Sequence, residues 1–119
     1  MKNLKTLLFI TLMGSLSLTA QNKDTKKADK HFDRFEFVDA AEDYTKLVEK
    51  GKGDAYVYGR LAESYYNIFN TVEAERWYAK ALEASETDDP EVVYKYSQML
   101  KANGKYEESN QQMERFASM

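Results

Sequence analysis

The side chains able to do acid–base, nucleophilic or metal chemistry are few and poorly grouped. His31 is the only histidine, and there is no cysteine. A lone imidazole with no partner at ligand spacing makes neither an oriented general base nor a metal set, so His31 reads as a packing residue. Glu107 and Glu108 are adjacent; on a helix they point to different sides and do not converge as an acid/base pair. Asp88-Asp89 lacks the spaced oxygen ligands of a calcium loop, and Asp89 reads as a helix cap. There is no Gly-rich phosphate loop and no nucleophile elbow. These patterns predict a non-enzyme with no catalytic residue, no metal and no cofactor.

The chain has 119 residues, enough for one small domain. Residues 1–20 have the pattern of a secretory signal peptide: Lys2 and Lys5, an apolar run from Leu7 to Leu18, then Thr19-Ala20 before Gln21. As a helix that run spans about 18 Å, short of the ~30 Å hydrocarbon core of a bilayer. Export to the periplasm is predicted, with the cleavage position left open because Leu18 is larger than such sites favour. No cysteine follows the run, so no lipid-modified N-terminus is expected. Past residue 20 the chain keeps all 20 acidic residues and 15 of its 17 basic ones, a formal charge of −5. An acidic chain gains nothing from phosphate attraction, which makes nucleic acid and anionic membrane surfaces poor partners. Without disulfides, stability must come from packing.

Gln21 to Lys27 is polar and is expected to fray. Helical patterning then predicts helices over 25–35, 38–50, 54–68, 71–84, 90–102 and 105–117, with no segment of strand period. Gly51-Lys52-Gly53 breaks the pattern, and Asp54 is a good N-cap. Asn70 with Glu73 resembles a capping box. Asp89 before Pro90 starts the fifth helix, and Asn103-Gly104 ends it.

The elements recur. Ala40, Ala74 and Ser109 lie 34 and 35 residues apart, and Phe35–Lys50 reads against Phe69–Ala84 and, more loosely, Gly104–Met119. A period near 34 with two amphipathic helices per unit is a solenoid signature. In the second unit Tyr58, Leu61, Ala62 and Tyr65 are followed by Ala74, Tyr78 and Ala81. The third offers Val93, Tyr96, Ser97 and Leu100, then Gly104 and Tyr106, then Ser109, Met113 and Phe116. The first offers Ala28, Phe37, Ala40, Tyr44 and Leu47. On these residues the chain resembles the tetratricopeptide repeat (TPR) family. The resemblance implies an all-α right-handed superhelical solenoid of three helix–turn–helix repeats, framed 21–54 (degenerate), 55–89 and 90–119. Small residues would let antiparallel helices approach, with Tyr44, Tyr78 and Met113 filling the space beside them. Asp24 and Lys27 depart from the pattern, so the first repeat is expected to begin late or serve as a polar cap. His31 occupies a place the family usually gives to Tyr. Trp77 is expected between helices.

A narrower resemblance follows from the signal-peptide pattern, "ADKHFDRFEFVDAAEDYTKLVEKG", "AESYYNIFNTVEAERWYAKAL" and "VYKYSQMLKANGKY". Together they are similar to the start of bacterial envelope proteins that join N-terminal TPRs to a propeller-like region and an OmpA-like peptidoglycan-binding domain. That resemblance implies a front module continuing into further domains, with membrane association only through those domains or partners. Met113 and Phe116 at core-type positions of the last helix fit it, since solenoids usually end on a polar capping helix.

In the TPR family the inner face of each repeat's first helix lines a groove for a peptide or helix. Carried onto this chain, that face holds Asp29, Phe32 and Asp33, then Tyr56, Glu63, Tyr66 and Asn67, then Tyr94, Gln98 and Lys101. Aromatics at these positions suit binding hot spots, and the acidic neighbours imply a basic protein or peptide partner. With only Asn67 and Lys101 of suitable type, a terminal-carboxylate clamp is not expected. Two rival readings are a glycan-binding accessory module, with Tyr56, Tyr66 and Tyr94 stacking on sugar, and a structural spacer for downstream domains.

Overall fold

A computed structural model describes residues 23–119; residues 1–20, expected from their pattern to be a signal peptide, lie outside the described residues. The described chain is all helical. Helix α1 covers residues 23–33, and α2 (Phe37–Glu49), α3 (Ala55–Asn67), α4 (Thr71–Ala84), α5 (Pro90–Ala102) and α6 (Tyr106–Ala117) follow. None is long and apolar enough to cross a membrane. The caps form where side-chain oxygens stand ahead of apolar runs. Asp54 accepts from the Val57 N–H at 2.9 Å, Asn70 from Glu73 at 3.2 Å and Asp89 from Glu91 at 2.9 Å. The capping box is only half made. The Glu73 carboxylate instead accepts from the Trp77 indole N–H at 3.2 Å, a buried donor that has the stronger claim on it.

The polar segment expected to fray is helical from residue 23. Its lysines and Asp24 are exposed, while Thr25 and Ala28, three apart, are buried on the other side. Asp24 also reaches the Lys52 ammonium at 3.1 Å, tying the start of α1 to the turn after α2.

The turn inside each helix pair is made the same way. Phe35, Phe69 and Gly104 have positive φ values of 61°, 61° and 82°. Phe35 N–H donates to Phe32 O and Glu36 N–H to His31 O, at 3.0 and 2.9 Å. The counterparts run from Phe69 to Tyr66 and Asn70 to Tyr65, at 3.2 and 3.0 Å, and from Gly104 to Lys101 and Lys105 to Leu100, at 3.0 and 2.8 Å. One left-handed residue thus closes the first helix of every pair. Glycine takes that conformation freely, whereas Phe is strained there. Both phenylalanines also point outward, 79% and 89% exposed, so packing does not compensate for the strain. Phe69→Gly should therefore raise stability by up to about 1 kcal/mol in urea denaturation. A loss would mean that the exposed ring does packing work.

Contacts between elements run along the chain: α2 on α3, α3 on α4, α4 on α5 and α5 on α6. Small residues are enclosed at the matching places of each pair. Ala28, Ala62 and Ser97 are buried, as are Ala40, Ala74 and Ser109. Where serine replaces alanine its hydroxyl finds a partner, Ser109 donating to Ser97 O at 2.8 Å and Ser97 to Tyr94 O at 2.6 Å. Tyr44 and Tyr78 are fully enclosed beside the alanines. Trp77 is buried, its ring stacked on Tyr58 at 5.8 Å. Tyr58 in turn needs Gly53, where an added Cβ would come within 2.8 Å of the ring. His31 is half-buried in polar rather than apolar company. Its Nδ1 is 2.9 Å from Glu36 and its Nε2 is 3.5 Å from Asp43.

Candidate functional site

The most elaborated polar surface is a cleft of about 430 Å³ between α1, α3 and α5. From α3 come Tyr56, Gly59, Arg60 and Glu63, a stripe at helical spacing. Phe32 closes one side from α1; Glu91, Val92 and Lys95 close the other from α5, below the cap residue Asp89. The cap matters, because Asp89 and Pro90 fix where α5 begins and so which of its turns faces the cleft.

Two carboxylates anchor the walls from beneath. Asp29 accepts from the Tyr56 hydroxyl at 2.9 Å, from Thr25 at 2.9 Å and from the buried Tyr44 hydroxyl. Glu63 accepts from the Tyr78 hydroxyl at 2.9 Å and from the Lys95 ammonium at 2.8 and 3.1 Å. The two arrangements correspond, since Asp29 and Glu63 are 34 residues apart, as are Tyr44 and Tyr78. At the third such place Gln98 and Met113 stand instead, and the Met113 sulfur lies 3.0 Å from the Ser97 hydroxyl.

These contacts control the titration of the tyrosines. Burial, reinforced by the hydrogen-bonded Asp29 carboxylate, raises the Tyr44 phenol far above its ordinary value. Burial and the charge of Glu63 do the same to Tyr78. Tyr56 is raised for the same kinds of reason, burial first and then Asp29. For Lys95 burial acts downward, but the hydrogen bonds to Glu63 and Glu91 outweigh it, and the ammonium is held above its usual range. At neutral pH Tyr56 therefore stands in the cleft as a neutral phenol, beside the Lys95 cation bridged by two acids.

Arg60 is placed differently. Its guanidinium lies over the Phe32 ring at 4.2 Å from the centroid and 5.4 Å from that of Tyr56. Beside it Gly59 leaves open space, with nothing within 4 Å of the position a Cβ would take. A glycine inside a helix with no steric reason for it is a local cost. Gly59→Ala should gain about 0.5–1 kcal/mol in chemical denaturation. Destabilisation would show that the helix needs the glycine's backbone freedom.

The residues expected from sequence scatter over this surface. Phe32, Tyr56 and Glu63 line the cleft, and Asp29 lies under it, holding Tyr56. Tyr66 is half-buried just beyond, edge-on to Tyr78 at 6.4 Å, with the Lys95 ammonium 5.0 Å from its ring. The Asn67 amide is turned back onto Glu63 O of its own helix at 2.7 Å. Tyr94 leans away, its ring 5.5 Å from Phe116 of α6. Asp33, Gln98 and Lys101 do not line the cleft, and their side chains take no partner among the described residues. Arg60, Gly59, Val92 and Lys95 escaped the sequence reading. Arg60 was accessible to it, being four residues after Tyr56 and three before Glu63 on the same stripe. The pairing of Lys95 with Glu63 spans 32 residues and leaves no local signal.

His31, Glu36 and Asp39 bring ligand-type atoms within 4.8 Å of one another, away from the cleft at the first turn. Glu36 is already engaged by His31 there, and the cluster is a polar closure of the α1–α2 turn. No protein-family model matches the sequence, and no curated protein matches it.

Proposed function

We propose that this chain is a TPR-type solenoid of three repeats that binds a partner protein in the cleft across its first helices and performs no catalysis. The observation that carries the reading is the threefold recurrence of one turn, at Phe35, Phe69 and Gly104, together with buried small residues at the matching places in each pair. Successive pairs built alike form a continuous surface, and a pre-formed surface binds with little loss of its own conformational freedom. Aromatic side chains and fixed charges line it, the residue types that dominate interface energetics. The signal-peptide pattern supports action in the periplasm. The sequence resemblance supports a place at the front of an envelope protein, as a module or spacer for further domains.

The glycan reading draws less support. The Tyr56 ring already carries the Arg60 guanidinium and the Tyr94 ring packs on Phe116, so neither is an unencumbered stacking platform.

A photo-crosslinking amino acid placed at Val92, inside the cleft, tests the interaction reading in the native host. It should yield a discrete protein adduct, while the same group at Lys46, on α2, should not. Equal labelling from both places, or none from the cleft, would reject the assignment. N-terminal sequencing of the exported product tests processing, with a new terminus at or near Gln21 expected.

A further inference from the structure

The acids around the cleft are satisfied, and one of its cations is not. Asp29 takes three hydroxyl donors, and Glu63 takes Tyr78 and Lys95. Glu91 takes the same Lys95 at 3.0 Å. Asp89 and Asp54 cap α5 and α3. Asp33 is unpaired but does not line the cleft. Arg60, which does, meets no carboxylate among the described residues; it rests on the faces of Phe32 and Tyr56 and neighbours the Tyr56 hydroxyl, a neutral group. Aromatic faces hold a guanidinium in place without neutralising it, and its N–H fork remains available for a carboxylate. The same register place carries a cation in each first helix, Lys26, Arg60 and Lys95. Lys95 is already occupied by its two acids, which leaves Arg60 as the unmet charge of the cleft.

We propose that the cleft binds an extended segment of a partner protein through an internal Asp or Glu side chain, held by Arg60, with the segment's backbone passing over Gly59. This rests on the interaction reading above and specifies the partner's chemistry. It reverses the basic partner expected from the groove's residue types, because two of the acids that prompted that expectation, Asp29 and Glu63, are consumed by internal hydrogen bonds and the third, Asp33, does not line the cleft. A side chain fits better than a chain terminus. Arg60 shares the cleft with two sets of apolar groups, Phe32 from α1 and Ala55 with Val92 from α3 and α5. A segment that continues past the acid can use both. Gly59 explains itself in the same way: a backbone can approach where no Cβ stands.

The test uses the full chain and three fluorescent peptide pools, each acetylated and amidated so that no terminal charge is present. The central residue is Glu, Gln or Lys, flanked by randomised apolar positions. By fluorescence anisotropy the Glu pool should bind roughly tenfold or more tightly than the Gln and Lys pools, a preference that falls as salt is added. Arg60→Gln should abolish the preference without changing the circular dichroism spectrum. Gly59→Leu, which fills the cleft, should weaken every pool while leaving the fold intact. A Glu preference that survives Arg60→Gln overturns the assignment. So does tightest binding of the Gln or Lys pool; in that case, if Gly59→Leu still weakens binding, the interaction reading stands and only the acidic partner falls. Binding by none of the pools overturns the acidic partner, and the Val92 crosslinking result then decides separately whether the cleft binds protein at all.

Discussion

Tyr78→Ala is expected to remove about 3–5 kcal/mol of folding stability, because a fully enclosed aromatic leaves a cavity that rigid neighbours cannot collapse into. Its ring fills the space beside Ala74 and Ala62 and touches Tyr66 edge-on, and no part of it reaches solvent. A domain of this size holds only about 5–15 kcal/mol in total, so the variant should lie near the edge of folding at room temperature. Tyr78→Phe separates the ring from the hydroxyl. It keeps the volume and removes one donor to Glu63, which retains Lys95. A loss near 1 kcal/mol is expected. Urea denaturation of the two variants reads both values. Equal losses would mean that the hydroxyl, rather than close packing beside small residues, holds the middle pair together.

Alkaline pH should unfold the protein through the same tyrosines. Tyr44 and Tyr78 have folded values raised well above the ordinary 10.0, by burial and by their acceptor carboxylates. In the unfolded chain these phenols ionise near pH 10, while in the folded chain they keep their protons. Their contribution is therefore complete below about pH 10 and declines above it, by about 1.4 kcal/mol per pH unit for each tyrosine. Helical circular dichroism should hold to about pH 10 and collapse within the next two units. Phenolate absorbance should rise in two stages, exposed tyrosines first and the enclosed pair together with unfolding. The double variant Tyr44→Phe, Tyr78→Phe should flatten the decline. Ionisation of all nine tyrosines with the helices still intact would contradict the enclosure of this pair.

These two expectations share a cause. Tyr44 and Tyr78 each place a hydroxyl on a carboxylate from the helix facing the cleft, Asp29 and Glu63. The core therefore reaches through its own tyrosines to fix the acids beneath the groove. That is why Asp29 and Glu63, counted as recognition charges from their residue type, turn out to be internal acceptors, and why Arg60 is left as the group with unmet charge.

Sequence alone determined the helices, most of their caps and their recurrence. Those features depend on local rules: apolar spacing along a helix, an oxygen ahead of the first turn, a proline that can only start a helix. Alanine and serine at intervals of 34 and 35 marked the tight approaches, and all of those places are buried. The shared left-handed turn was within reach too, since Gly104 aligns with Phe35 and Phe69, but phenylalanine gives no hint of a positive φ. What only the tertiary structure decided is which face of each first helix looks into the cleft. Helix α5 turns Glu91, Val92 and Lys95 inward while Tyr94 packs on Phe116 of α6. Ion pairs and stacking across 28 to 32 residues, such as Arg60 over Phe32 or Lys95 with Glu63, depend on how packed helices are rotated about their axes. That rotation is set by the fit of many side chains at once, and no spacing along the chain encodes it.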